Sequence, residues 1–203
     1  LESLELMIMA AEACNITPIV RPETKDPDVI FRVMDRGAMG VQVPHINNAA
    51  DARRVVESVK FHPLGNRGLA AGTRPSNYGF RLSPTDYVQE ANRETLVCVQ
   101  LEEVEALQNI NEIVRVEGVD VFFIGPSDLS QSMGYPGQTD APEVRTAIDN
   151  AFATIVAAGK VPGSTGSTQA IANYLSKRCL YVYTHFPKLL AAGSAEFMRA
   201  VKK

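Results

Sequence analysis

Two apolar runs decide the fold of this chain, LVCVQLE at residues 96–102 and VDVFFIGPSD at residues 119–128. Each run resembles a buried strand in length and composition, and each delivers a carboxylate at its end, Glu102 in the first and Asp128 in the second. Between the runs, apolar side chains recur at helical spacing, which predicts a strand, a helix and a strand. A right-handed crossover makes such strands parallel and brings both carboxyl ends to one edge of the sheet. We therefore expect Glu102 and Asp128 to meet at the carboxyl edge of the sheet, where α/β enzymes have their active sites.

The rest of the chain repeats this alternation. Further strands are predicted at residues 17–22, 40–46, 160–166 and 180–184, and one extra helix precedes them. Continuous alternation predicts a single parallel α/β sheet, either open or closed into a barrel. An eight-stranded barrel usually needs about 250 residues, so the closed alternative leaves this chain two strands short. The fold prediction is a TIM (β/α)8 barrel with about six of its eight units, forming one domain over residues 1–203 that is incomplete at its amino terminus.

Composition excludes several function classes. The 203 residues are 45% hydrophobic and 21% charged, with a formal net charge of −3 and no basic runs, which argues against nucleic acid as a partner. No apolar run approaches the roughly 18 residues of a membrane span, and no signal-peptide pattern opens the chain, so we expect no membrane partner and a cytoplasmic location. Three scattered cysteines without C-x-x-C spacing argue against disulfides or a zinc site.

Two polar side chains near predicted strand ends are candidates for the same edge. Arg21 closes the strand at residues 17–22, where it either forms an ion pair at the barrel mouth or faces the site as a catalytic cation. Pro44 cannot donate to a central ladder and should end the next strand, which places His45 at the carboxyl edge. There His45 is either a hydrogen-bonded structural residue or a ligand or base.

A long polar segment at residues 62–84 is rich in glycine and proline. It fits neither the P-loop nor the dinucleotide fingerprint, so phosphate binding has little support. We expect it to be a long loop that covers the active-site edge or lies at a subunit contact.

These residues resemble the HpcH/HpaI aldolase family of metal-dependent class II pyruvate aldolases. The sequence GVDVFFIGPSDLS at residues 118–130 is similar to the family's glycine-proline-x-aspartate signature, and VQLE at residues 99–102 is similar to its Gln-x-Glu motif. Residues 19–22, IVRP, match the strand that carries the family's catalytic arginine, and residues 43–45 and 63–68 also fit. The resemblance covers nearly the whole sequence.

The resemblance implies a site. Glu102 and Asp128 would hold a divalent metal, and Arg21 would be catalytic and face an enolate. Carboxylate ligands favour Mg²⁺ or Mn²⁺, with Co²⁺ as a further candidate. The spacing of Glu102 and Asp128, taken without the resemblance, is also consistent with two solvated carboxylates at strand ends that bind no metal. The residues implied for substrate binding are Gln100, Gly125, Pro126 and Ser127. The backbone N–H groups after Pro126, at Ser127 and Asp128, open a loop or short helix and would bind the substrate carboxylate.

The activity implied is that of a carbon–carbon lyase. A class II aldolase of this kind reversibly cleaves 4-hydroxy-2-oxo acids to pyruvate, or a similar 2-oxo acid, and an aldehyde, through an enolate held at the metal. The family also implies a homo-oligomer, often hexameric, whose last helix is exchanged between partners. Its Asp-Gly-Glu-His stretch, which supplies a proton-moving histidine, has no counterpart here and would precede Leu1.

Two alternatives remain open. A CoA-ester lyase of the citrate or malyl type would also use an acid pair and Mg²⁺, but it needs basic residues for the CoA phosphates, and only Arg67, Arg74 and Arg81 are offered by the long loop. A non-catalytic subunit could instead retain the acid pair for assembly, and the missing histidine segment is the only support for that interpretation.

Overall fold

The computed structural model describes residues 2–70 and 72–201. The elements in chain order are α1 (Glu2–Ala13), β1 (Ile19–Val20), α2 (Pro27–Asp35), β2 (Gly40–Val43), α3 (Ala49–Val59), a 3₁₀ segment (Arg74–Gly79), α4 (Pro84–Glu94), β3 (Leu96–Leu101), α5 (Val104–Gln108), α6 (Ile110–Ile113), β4 (Val121–Ile124), α7 (Pro126–Ser132), α8 (Pro142–Ala157), β5 (Val161–Thr165), α9 (Thr168–Ser176), β6 (Tyr181–Tyr183) and α10 (Phe186–Val201).

The strands within the described residues form one parallel sheet in the order β1-β2-β3-β4-β5-β6. This confirms the predicted alternation, because helices between successive strands return the chain to the same edge each time. All carboxyl ends therefore face the same way. At that edge Val43 of β2 pairs with Val99 of β3, and Leu101 of β3 pairs with Ile124 of β4.

Local chemistry sets the ends of the early elements. β2 ends at Val43, immediately before Pro44, as predicted, because proline has no N–H to donate to the ladder. Asn48 then caps α3, since its side chain accepts a hydrogen bond from the Asp51 N–H. α2 ends near Gly37, whose φ of +100° lies in the left-handed region that glycine adopts without strain.

Two expectations about the central unit were wrong in detail. The segment predicted as one helix is divided at Asn109 into α5 and α6. The run at residues 119–128 does not continue as a strand to its end, because β4 stops at Ile124 and Asp128 lies in the first turn of α7. Pro126 explains the change, since its fixed φ and missing N–H suit the first position of a helix.

The core lies on both faces of the sheet. The larger cluster packs the helices against the outer face, and its largest members are fully buried, among them Phe122, Phe152, Ile30, Met34 and Ile148. A smaller cluster on the inner face contains Cys98, Val121 and Phe123, with Tyr181 and Tyr183 packed against it. Side chains of β2 and β6 also touch across this face, so the sheet is curled.

A curled sheet of this kind is consistent with part of a TIM barrel. The described residues supply six strands, and the predicted total of eight units is not confirmed by them. No helix in the described part of the chain combines the length and apolarity needed to cross a bilayer. The last helix, α10, is exposed along its whole length, and its predicted exchange between partners remains a prediction.

The long polar segment does not cover the carboxyl edge. Arg67 donates a hydrogen bond at 2.9 Å to Asp35 at the end of α2, and Arg74 pairs with Glu12 near the end of α1 at 2.7 Å. Both helix ends precede a strand and therefore lie at the amino-terminal edge of the sheet. The first alternative, a loop over the active-site edge, was wrong, because these ion pairs hold Arg67 and Arg74 at the opposite edge. The second alternative, a subunit contact, stays a prediction.

Candidate active site

The centre of the candidate site is Glu102, which directly follows the last residue of β3. Its side chain is 0% exposed. One carboxylate oxygen, Oε1, accepts a hydrogen bond of 3.0 Å from the backbone N–H of His45, and the other, Oε2, accepts one from Nε2 of Gln100. A buried carboxylate is expensive unless such donors hold it, so both interactions fix its position.

The environment of Glu102 disturbs its ionisation. Burial raises the pKa of this carboxyl above its usual value, and the negative charge of Asp128 raises it further. The hydrogen bond from the His45 N–H, the imidazole of His45 and the guanidinium of Arg21 act in the opposite direction and lower the pKa. A buried carboxylate with a raised pKa beside a second carboxylate is typical of functional sites.

Asp128 lies at the same edge as Glu102, although a helix rather than a strand carries it. Its side chain is exposed in the first turn of α7, where the helix dipole favours a negative charge. Its negative charge contributes to the raised pKa of Glu102. The crossover from β3 to β4 therefore places the two predicted acids at the same edge of the sheet.

Gln100 links the arginine to the glutamate. It is 5% exposed on β3, and its Oε1 accepts a hydrogen bond of 3.3 Å from Nε of Arg21, which follows β1. Its Nε2 donates to Glu102. No ion pair of Arg21 is found within the described residues, and its exposed side chain instead donates to Gln100.

Gly125, which follows the last residue of β4, lets the side chains of Glu102 and Gln100 lie close to the backbone. A Cβ atom at this position would lie 2.9 Å from Oε2 of Glu102 and 3.2 Å from Nε2 of Gln100. The absence of a side chain at the end of β4 thus makes room for the carboxylate. Pro126 and Ser127 follow in α7, where first-turn N–H groups have no acceptor inside the helix.

His45 lies at the edge, as the position of Pro44 predicted. Its φ is +58°, and its backbone N–H donates to Glu102. Its Nδ1 is 2.9 Å from Oε1 of Glu103 and 3.3 Å from Oε1 of Glu102. The side chain is 53% exposed. His45 is therefore a hydrogen-bonded neighbour of the buried carboxylate.

The donor set fits a hard divalent cation. Glu102 and Asp128 offer carboxylate oxygens, and no group of three or more His, Cys, Asp or Glu side chains that could hold a metal occurs in residues 2–70 and 72–201. Mg²⁺ usually keeps several waters and is bound through one or two carboxylates plus substrate oxygens. Two protein carboxylates at an open edge meet that requirement.

Sequence reasoning missed Gln42 and Tyr181. Gln42 is 4% exposed in β2, and its side chain reaches Gln100 on one side and Tyr181 of β6 on the other. The available signal was an amide inside the otherwise apolar run GVQV. A buried amide requires hydrogen-bond partners, so its presence in a central strand indicates a polar neighbour across the sheet.

Comparison with known families identifies the family of this chain. The family model of HpcH/HpaI aldolase/citrate lyase matches residues 3–176, and the chain belongs to this family. The 4-hydroxy-2-oxo-heptane-1,7-dioate aldolase of Shigella flexneri is 39% identical over 184 residues, which cover 90% of this chain and 68% of that protein. The relative with the same name from Shigella sonnei is also 39% identical over 184 residues and is covered to 70%.

Solved structures give the same result. A HpcH/HpaI aldolase/citrate lyase family protein from Burkholderia cenocepacia superposes with a TM-score of 0.90 at 28% identity, over 100% of this chain and 80% of that one. The citrate synthase SbnG superposes with a TM-score of 0.84 at 30% identity, over 98% of this chain and 78% of that one. Membership therefore identifies the chain as part of a family of lyases and aldolases.

Proposed function

We propose that the protein is a divalent-metal-dependent class II aldolase. Its reaction would be the reversible cleavage of 4-hydroxy-2-oxo acids to pyruvate, or a similar 2-oxo acid, and an aldehyde. The observation that carries this proposal is the fully buried carboxylate of Glu102 with Asp128 beside it at the carboxyl edge. The name of the relatives at 39% identity supports the substrate class.

The cofactor proposed is Mg²⁺ or Mn²⁺, held by Glu102 and Asp128. When bound, such an ion supplies Lewis acidity that polarises the keto group of a 2-oxo acid. The His45 N–H and the Gln100 amide donate to the buried carboxylate of Glu102, which is one of the two proposed metal ligands. Both donors orient the carboxylate before any ligand arrives.

Arg21 is proposed to stabilise the negative charge that develops on the substrate. In cleavage, the C3–C4 bond breaks and the 4-hydroxyl loses its proton as the aldehyde forms. The electron pair of the broken bond stays with the 2-oxo acid fragment as an enolate, which is then protonated at C3. Arg21 is positioned by its hydrogen bond to Gln100, and a guanidinium stays charged at every working pH. A fixed positive charge near a developing oxyanion often supplies the largest catalytic contribution.

The remaining substrate contacts are proposed at β3 and α7. Gln100 would orient the keto acid, and Gly125 and Pro126 would lie beside it, with the missing side chain of Gly125 leaving room for the Glu102 carboxylate. The N–H groups of Ser127 and Asp128 would bind the substrate carboxylate. We further propose a homo-oligomeric assembly, by analogy with the family.

A second candidate is a lyase that acts on citrate or a CoA ester. It is favoured by the family description, which includes citrate lyase, and by the similarity to a citrate synthase at 30% identity. The arginines of residues 62–84 argue against a CoA site at the carboxyl edge, because Arg67 and Arg74 are paired with acids at the other edge.

A coupled assay tests the proposal. The protein is incubated with 4-hydroxy-2-oxo acids of different chain length, and released pyruvate is measured with lactate dehydrogenase, with and without EDTA. Parallel reactions contain citrate or an acyl-CoA thioester. We expect release from the hydroxy-oxo acids, loss with EDTA and recovery with Mg²⁺ or Mn²⁺. Turnover that EDTA does not affect would contradict the metal assignment, and turnover confined to citrate or the thioester would favour the second candidate.

A further inference from the structure

A line of hydrogen bonds crosses the inner face of the sheet and ends at the candidate site. Tyr181 Oη donates to Gln42 Oε1 at 3.2 Å, and Gln42 Nε2 donates to Gln100 Oε1 at 3.1 Å. Gln100 Nε2 then donates to Glu102. Three strands, β6, β2 and β3, are joined in this way.

Arg21 and Glu102 determine which group of each glutamine amide donates and which accepts. Arg21 can only donate hydrogen bonds, and it donates to Gln100 Oε1 at 3.3 Å. An ionised Glu102 can only accept, so the NH₂ group of Gln100 must face it. Gln42 must then present its own NH₂ group to Gln100 and its carbonyl oxygen to Tyr181.

Because both amides are buried, each can take only one orientation. Gln42 and Gln100 are 4% and 5% exposed, so water cannot readily replace a lost partner. Tyr183 Oη is 3.5 Å from Gln42 Nε2 and gives the same NH₂ group a second neighbour. A 180° rotation of either amide would place like groups against each other, which a buried site does not tolerate.

We propose that Gln42 is a positioning residue for the proposed aldolase reaction. It holds the amide of Gln100 in the one orientation that donates to Glu102 and accepts from Arg21, and Tyr181 holds Gln42 in turn. The proposal rests on the proposed function, because Gln100 is assigned there to orient the keto acid. Gln42 itself acts through Gln100 and does not touch substrate.

A spectroscopic experiment tests the positioning without any activity. The side-chain amide signals of Gln100 are identified in a ¹⁵N–¹H correlation spectrum by their loss in Gln100→Met. In Gln42→Met we expect these signals to move and their protection from solvent exchange to fall by about tenfold, the size expected for one lost hydrogen bond. Gln89→Met, an exposed glutamine of α4, is the matched control and should leave them in place.

Tyr181→Phe keeps the test decisive if Gln42→Met does not fold. It removes only the hydroxyl that donates to Gln42, and we expect a smaller shift of the same Gln100 signals. Signals that stay unchanged in every folded variant of Gln42 and Tyr181 would overturn the proposal. Signals that move in them support it.

Kinetics provide the second readout. Gln42→Met should reduce kcat/KM for the 2-oxo acid reaction by about tenfold, and it should have no further effect in the Gln100→Met background, because it acts through that residue. Independent effects that multiply would overturn the proposal. If the wild-type protein cleaves no hydroxy-oxo acid, the proposed function fails, whereas the amide spectrum still decides whether Gln42 positions Gln100.

Discussion

The backbone N–H of His45 donates a 3.0 Å hydrogen bond to Oε1 of Glu102, which joins the end of β2 to the end of β3. This bond does not depend on the His45 side chain, so the carboxylate is held by the shape of the chain. Pro44 ends β2, and the N–H of the next residue, His45, points towards the site. The central acid is therefore placed by the fold before any ligand is considered.

Glu102→Gln tests the importance of the negative charge. The amide is nearly isosteric and its oxygen can still accept from the His45 N–H, but its NH₂ group then faces the NH₂ group of Gln100. We therefore expect the melting temperature to fall modestly, although the burial cost of the charge disappears. Activity in the pyruvate assay should fall by at least about 100-fold. Glu103→Gln is the adjacent control and should retain most of the activity. Equal losses in both variants would contradict the assignment.

Arg21→Lys tests the guanidinium at constant charge. Lysine cannot reproduce the rigid planar donors that reach Gln100, so we expect kcat to fall by two to three orders of magnitude, roughly the loss seen when a transition-state donor is removed. Circular dichroism should show an unchanged fold, because Arg21 is exposed. Arg32→Lys, an exposed arginine of α2, is the control. Wild-type kcat in Arg21→Lys would remove Arg21 from the mechanism.

Gly125→Ala tests the space beside the buried carboxylate. The added Cβ would lie 2.9 Å from Oε2 of Glu102, so the carboxylate and the Gln100 amide must shift. We expect kcat/KM to fall by about tenfold or more, since small displacements at a reacting centre have large effects. Gly72→Ala is the control, because nothing lies within 4 Å of its added Cβ. Unchanged kinetics in Gly125→Ala would show that the site tolerates the displacement.

Lys60 gives the protein a pH-dependent stability that is separate from the site. It is 5% exposed, and its Nζ donates to the Asn92 carbonyl at 2.9 Å and to the Thr95 carbonyl at 2.6 Å. Burial lowers the pKa of Lys60 below 10.5, although the charge of Asp120 opposes the shift.

The sign of this effect follows from proton binding. Between the lowered pKa of Lys60 and 10.5, the unfolded chain binds a proton that the folded chain has released, so the free energy of unfolding rises with pH in that window. Urea titrations at increasing alkaline pH should show this rise in the wild type relative to Lys60→Met. Parallel pH curves for the two proteins would contradict it.

Much of the fold could be predicted because periodicity and proline positions are local signals. Pro44 ended its strand as expected, and apolar runs placed five of the six strands in the described residues. The strand at residues 160–166, rich in small polar residues, was predicted from its position in the alternation. The errors lay where side chains at a distance decide the outcome. Asn109 breaks the α5–α6 segment and donates through Nδ2 to the Asn47 carbonyl at 2.8 Å, a contact that no pattern of spacing reveals.

The site was predicted less completely than the fold. Glu102 and Asp128 could be predicted at one edge because strand ends in a parallel sheet share it. The apolar run was extended as a strand to Asp128, although a loop or short helix was also expected to open after Pro126, where α7 begins. Gln42 could not be assigned, because its partners Gln100 and Tyr181 are distant in sequence and meet only in the curled sheet. A single amide in an apolar strand does not indicate which neighbour it meets.

Binding of Mn²⁺ to the wild-type protein, Glu102→Gln and Asp128→Asn, measured by isothermal titration calorimetry, tests the central claim most directly. If Glu102 and Asp128 hold one cation together, the wild type binds one Mn²⁺ per chain, and each single variant loses at least about tenfold in affinity while remaining folded. Equal Mn²⁺ affinity in the wild type and both variants would contradict the claim.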